Sequence, residues 1–252
     1  MKHAEELDYE LSDEDNAMLE QEFQELSERY DGEIKLHDAL RANWMSENSY
    51  RFYAQLLPLI NDRLTERYAA QVTEEDVSAW VEENEQVRAK HILLLTTSTT
   101  LDDEQKAALR TELEDMRTEL LTLAGDPAAL EARFDELMNE RSEDTGLKMY
   151  PDGYVFTTGR MVQEFEDAAF ALEPYGISEV IETAYGYHLL LRLPIDLDTA
   201  IEIDSSTYEP IILRDELAAE KLSDAITALS EENEIVYAPG FENFSLTSIF
   251  AE

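Results

Sequence analysis

Two apolar runs, each edged by a histidine, constrain this chain more than any other feature. The first is Lys90-His91-Ile92-Leu93-Leu94-Leu95. The second is Tyr187-His188-Leu189-Leu190-Leu191, preceded by Thr183-Ala184-Tyr185-Gly186. Both read as strands, because short aliphatic runs bounded by turn residues suit buried sheet positions. A long stretch of helical pattern separates them. Of the four histidines in the chain, two occupy these matched places. Between the runs lies Gly159-Arg160-Met161-Val162-Gln163-Glu164-Phe165, continuing to Leu172.

The rest of the chain is mostly helical in pattern. Met18, Phe23, Leu26 and Tyr30 recur at helix spacing, as do Leu40, Trp44, Phe52, Leu56 and Leu59. Asp31-Gly32 is a break, and Pro58 is expected to kink or end a helix. Thr73-Glu74-Glu75-Asp76 reads as a helix start with acids in its first turn. That helix carries Val77, Trp80 and Val81 on one face. Asp102 is placed to cap a helix through Leu109, Leu113, Met116, Leu120 and Leu123. Gly125-Asp126-Pro127 starts another, with Leu130, Phe134, Leu137 and Met138 on its apolar face. Residues 142–153 read as loop, 154–156 as a short strand and 163–171 as a short helix. Residues 179–181 and 188–193 read as strands. Residues 196–207 look extended or irregular, 209–232 helical, and Ile235-Val236-Tyr237 strand-like before a loose Ala238-Pro239-Gly240. The expected organisation is a helical segment over 1–86, an α+β domain over 87–195, and a C-terminal helical segment over 196–252 that packs with the first.

Composition narrows the function classes. An apolar fraction of 44% in 252 residues is enough for a core. No run reaches the roughly 18 apolar residues that a membrane helix needs. A formal charge of −39 argues against nucleic acid and anionic lipid as partners, and favours cationic ones. With no cysteine, disulfides, thiolate catalysis and cysteine metal sites are excluded. Met1 leads straight into acidic residues, so the protein is either cytoplasmic or has lost a secretion signal.

The paired histidines, the Ser142-Glu143-Asp144 loop and the Met161/Phe165 helix start, in this order, resemble the parvulin family of peptidyl-prolyl cis–trans isomerases. The resemblance implies an α+β fold with a four-stranded, mostly antiparallel sheet and surrounding helices, inserted between helical flanks. It implies that His91 and His188 lie side by side on central strands and share a hydrogen bond. Asp144 would lie above them, and Thr183 would extend the network. Met161 and Phe165 would wall the proline cup, with Tyr154 as a further wall. Neither metal nor organic cofactor is implied. The order of parts is similar to foldases of the PrsA and SurA types. That implies an extracytoplasmic protein, secreted or anchored through a removed signal or lipid anchor, acting on unfolded or partly folded chains with X-Pro bonds. The flanks would hold clients, or serve only as a collar or homodimer contact.

Rotation about an X-Pro amide crosses a barrier of about 18–20 kcal/mol without making or breaking a bond. Such an enzyme needs no nucleophile, only an apolar seat for the ring and a site that favours the twisted amide. Two departures matter. The family's apolar leucine before the middle strand is replaced by Gly153, which leaves the cup shallower unless Tyr154 or Tyr150 fills it. The alternative reading is therefore a parvulin-fold chaperone that has lost catalysis. The loop after the first strand, residues 96–103, has no Lys or Arg, so a phosphopeptide preference is not expected. Weaker signals are few. Asp13-Glu14-Asp15-Asn16 lacks the pattern of a calcium loop and reads as a helix cap or solvated face. His3 and His37 have no partner at metal spacing, and Asn243-Phe244-Ser245 is a chance-prone sequon. A cation-gathering surface protein is the third, weakest reading.

Overall fold

The computed structural model describes residues 10–97 and 101–232. His3, Ser98 to Thr100, the strand-like 235–237, the 238–240 end and the 243–245 triplet lie outside these residues. The chain divides into two compact units, one of residues 71–217 and the other of residues 1–70 with 218–252.

In the second of these, helix α1 spans Asp13–Arg29. Its acidic start is a reciprocal cap. Ser12 Oγ accepts the Asp15 N–H, and the Asp15 carboxylate accepts the Ser12 N–H. Asp15 is buried and also accepts from Arg63 Nε at 3.0 Å. The helix stops at Asp31 and Gly32, both with left-handed φ, +60° and +112°. Helices α2 (Glu33–Ala42) and α3 (Glu47–Tyr50) follow. Phe23, Leu36 and Leu40 form a buried cluster, with Leu26, Met45 and Tyr50 packed on it. Trp44, expected on that apolar face, stands outside it at 90% exposure. The reason is local: α2 ends at Ala42, and Trp44 takes φ +58° in the turn beyond. Pro58 neither ends nor breaks the next helix. Arg51–Leu56 form a π-helical turn that runs into α4 (Leu57–Ala69), with Pro58 in the first turn of α4. A wider turn relieves the clash between a proline ring and the carbonyl four residues back. The wider turn also shifts the buried face, so that Gln55 is buried and donates to the Leu19 carbonyl at 3.2 Å.

The unit 71–217 opens with α5 (Glu74–Glu83), capped by Thr73 and Asp76. Strand β1 (Val87–Leu95) leads to α6 (Asp103–Leu121), capped by Asp102, and α7 (Pro127–Arg141), capped by Asp126 with Pro127 in the first turn. Then come β2 (Tyr154–Phe156), α8 (Gln163–Ala171), β3 (Ile181–Glu182) and β4 (Gly186–Leu193). The sheet order is β2-β1-β4-β3, antiparallel throughout. The fold class is α+β, with this four-stranded sheet and its covering helices.

Register decides which side chains share a face. His91 pairs with Leu190 and Leu93 with His188, so the two histidines are diagonal neighbours on one face. Ile92, Leu94, Leu189 and Leu191 point to the other. There they bury with Leu113, Met116 and Leu120 of α6 and Leu130, Phe134, Leu137 and Met138 of α7. Each fully buried side chain of this size contributes about 1.5–3 kcal/mol of transfer free energy. The histidine face packs under α8, where Phe165 and Ala169 bury with Ala89, Phe156 and Leu190. The main core thus lies behind the sheet and a smaller one holds α8 in front.

The stretch expected to be irregular contains β5 (Ala200–Ile203), paired with β6 (Pro210–Ile212). The last helix, α9 (Leu213–Glu232), therefore begins after Ile212 rather than at residue 209. The Leu213 and Arg214 N–H groups donate to the carbonyls of Thr199 and Leu197. The β-branched Ile211 and Ile212 suit the pairing that precedes this start. No helix among the described residues is long and apolar enough to cross a membrane.

Candidate active site

The sheet brings His91 and His188 to within 5.4 Å between ring centroids, tilted by 57°. The His91 side chain is 9% exposed and His188 is buried. Phe165, on the first turn of α8, meets both rings edge-on, at 5.2 Å and 5.7 Å. The expected hydrogen bond between the imidazoles is not formed, and both Nδ1 atoms are buried without a partner. The Nε2 atoms are placed instead. That of His188 shares a hydrogen bond of 2.8 Å with Thr183 Oγ1, and that of His91 lies 3.6 Å from the Asp144 carboxylate. The latter is a close polar contact, too long for a hydrogen bond.

Asp144 follows α7, in the loop that crosses in front of β1. Its carboxylate accepts the Tyr154 hydroxyl at 2.7 Å and the Gly146 N–H at 3.0 Å. The Tyr154 ring stacks on His91, with centroids 5.7 Å apart and planes 20° apart. Tyr150 lies against Tyr154 at 4.7 Å. Met161 packs with Phe165 and Tyr154 in the smaller core. The structure therefore gathers His91, His188, Thr183, Asp144, Tyr154, Phe165 and Met161 on one face of the sheet.

Burial sets the protonation states. It holds His188 down at about 4, helped by His91 and opposed by Asp144. Burial also lowers His91, against the pull of Asp144. Both imidazoles are consequently neutral near pH 7. The Tyr154 hydroxyl is pushed up, first by burial and then by its bond to Asp144, so it stays a donor.

The segment that holds these residues resembles known proteins. The family model for the PPIC-type PPIase (rotamase) domain matches residues 91–193. The peptidyl-prolyl cis-trans isomerase Pin1 of Digitalis lanata is 32% identical over 126 residues, covering 43% of this chain and 97% of that protein. The chain belongs to the parvulin family. The foldase protein PrsA of Oceanobacillus iheyensis is 30% identical to this parvulin over 189 residues, 72% of the chain. The match spans 53% of that foldase's own length. A crystal structure of PrsA from Bacillus subtilis covers 97% of the chain and is itself covered over 85%, at 20% identity and a TM-score of 0.34.

Within the parvulin domain, Gly153 has a positional reason. Its φ is +92°, and a Cβ there would meet the Ala89 carbonyl oxygen at 2.8 Å. No leucine fits that backbone. The next residue, Tyr154, lies over the site face, its ring stacked on His91. Gly146 completes the exchange, since its missing Cβ leaves room for the Tyr154 hydroxyl.

Sequence reasoning missed Glu166. Buried on α8, it accepts the N–H groups of Gly159 at 3.0 Å and Met161 at 2.7 Å. Those bonds lower its pKa and hold the loop that carries Met161. An acid in the first turn of a helix that follows a glycine loop was the available signal.

Proposed function

We propose that this chain is a peptidyl-prolyl cis–trans isomerase and foldase acting on X-Pro bonds of unfolded or partly folded polypeptides. The observation that carries the reading is the convergence of one carboxylate, Asp144, and two neutral buried imidazoles beside the apolar surface of Met161, Phe165 and Tyr154. Membership of the parvulin family and the PrsA match support it.

The proline ring would seat on Met161 and Phe165, and the amide would lie toward Asp144. A planar amide places partial negative charge on its carbonyl oxygen, and twisting withdraws it. A fixed carboxylate nearby penalises the planar forms more than the twisted one, which is differential binding of the transition state. His91 and His188, both neutral and the second held by Thr183, would form a polar but uncharged floor. Tyr154 keeps Asp144 aimed. No step needs a nucleophile or a cofactor.

The helical unit would hold the client, and the charge of −39 would favour basic clients. An extracytoplasmic location is part of the reading, in line with the resemblance to secreted foldases. The test is a protease-free assay that follows refolding of a proline-limited protein. Acceleration at substoichiometric amounts, lost in His188→Ala and Asp144→Ala, is expected. A wild-type chain that leaves the slow phase unchanged would refute the catalytic reading.

A further inference from the structure

The edge of β1 that faces β2 is used in two parts. β2 pairs only with Val87 to Ala89. Further along that edge, the segment after α7 takes over. The Leu93 N–H donates to Ser142 Oγ at 3.1 Å, and the Glu143 N–H donates to the Leu93 carbonyl at 2.8 Å. The Leu95 N–H donates to the Glu143 carboxylate at 2.7 Å. Ser142 Oγ also accepts the Asp144 N–H at 3.4 Å. Ser142 and Glu143 thus grip the β1 edge at two successive rungs, and the next residue along is Asp144.

We propose that Glu143 and Ser142 are positioning residues for Asp144, a side-chain clasp on β1 that fixes where the carboxylate stands over His91. The inference rests on the isomerase reading above, in which Asp144 acts on the amide. The physical case is one of register. A charge-assisted bond from a backbone N–H to a carboxylate is stronger than a neutral one. Leu93 and Leu95 belong to the strand that carries His91, so the clasp ties Asp144 to the frame of the histidines. Without it, Asp144 is placed by the end of α7, by Tyr154 and by the Gly146 N–H. A catalytic group displaced by about 1 Å can lose up to a hundredfold in rate.

The experiment uses the full chain and a proline peptide whose isomerisation is followed by NMR exchange without protease. Variants are Glu143→Ala, Glu143→Gln, Ser142→Ala and Asp144→Asn. The expected result is a fall in kcat of about tenfold to a hundredfold for Glu143→Ala, with KM little changed and the folded fraction equal to wild type. Glu143→Gln, which keeps an acceptor oxygen, is expected to recover most of the rate. The Leu95 amide resonance is expected to move upfield in Glu143→Ala and to stay near its place in Glu143→Gln. Should Glu143→Ala prove unstable, Ser142→Ala carries the same expectation through the Leu93 rung. Wild-type rates in Glu143→Ala and Ser142→Ala, with Asp144→Asn inactive, would overturn the clasp and leave the isomerase reading standing. Full activity in Asp144→Asn would overturn both. An equal loss in Glu143→Gln and Glu143→Ala, with the Leu95 amide unmoved, would assign the effect to charge and also overturn the clasp.

Discussion

At the scale of single residues, the site depends on what glycines leave open. Gly153 and Gly146 carry no function of their own, yet they let Tyr154 lie flat on His91 and reach Asp144. Gly153→Ala is expected to destabilise the protein by about 1–3 kcal/mol, because φ is positive and the Ala89 carbonyl is in the way. Chemical denaturation measures it, and an unchanged midpoint would contradict the packing argument. Tyr154→Phe keeps the wall but removes the donor, so kcat/KM should fall by about tenfold, and Tyr154→Ala should lose more. The histidines make a separate prediction. The folded protein holds His188 at about 4, while the unfolded chain takes up a proton near the ordinary value of 6.5. Between those values the unfolded state binds more protons. Stability is therefore full above pH 6.5, falls as pH drops through the window, and levels off below about 4. The contribution is on the order of 3 kcal/mol. His91 acts in the same direction. A His188→Asn variant should show a shallower loss over this range, and identical pH profiles would exclude the effect.

At the scale of elements, α7 is the part that the sheet must hold still, since Asp144 leaves from its end. Lys90 points away from the histidines, is 2% exposed, and bonds Glu131 at 2.9 Å and Asp135 at 2.7 Å. Both acids lie on α7 and are about a third exposed, at 32% and 37%. The pair is asymmetric. Removing Glu131 and Asp135 together strands a buried ammonium and should destabilise by about 3–5 kcal/mol. Lys90→Met leaves two acids that can rehydrate, and should be near neutral or mildly stabilising. Equilibrium denaturation of both variants decides it, and an equal loss in the two would show that burial of Lys90 is not the governing term. The same strand thus presents a histidine to the site and a lysine to the supporting helix, one residue apart, because side chains alternate along a strand.

At the scale of the whole molecule, charge is the dominant property. A net −39 over 252 residues sets up a field that steers cations toward the surface and repels anions. Association with a basic unfolded client should therefore be fast at low salt and slow as salt shortens the Debye length to about 10 Å at 0.1 M. Stopped-flow association of one basic and one acidic client across a salt series measures this. Rates that ignore salt would remove the electrostatic part of the proposal. The isomerisation step itself should depend little on salt, because its polar groups are mostly buried.

Much of the fold was legible because periodicity is local. The strand through Lys90 to Leu95, the capped starts at Thr73 and Asp102, and the short helix over 163–171 follow from apolar runs, caps and spacing, which are written in neighbouring residues. The order of histidines, Asp144, Met161 and Phe165 likewise marked the family. What stayed hidden depended on approach between distant segments. β5 and β6 pair across a turn, with one rung shifted, and neither is a strong strand alone. The wide turn before Pro58 and the exposure of Trp44 have local causes, the proline ring and the left-handed turn after α2, but hydrophobic spacing alone does not reveal them. Gly153 looked like a missing wall in sequence, and only the Ala89 carbonyl behind it shows why glycine stands there and why tyrosine follows. Sequence by itself determined which groups this protein carries and in what order. The tertiary structure alone decided which of them meet, because distances across a sheet are set by register and packing, and no local pattern encodes those.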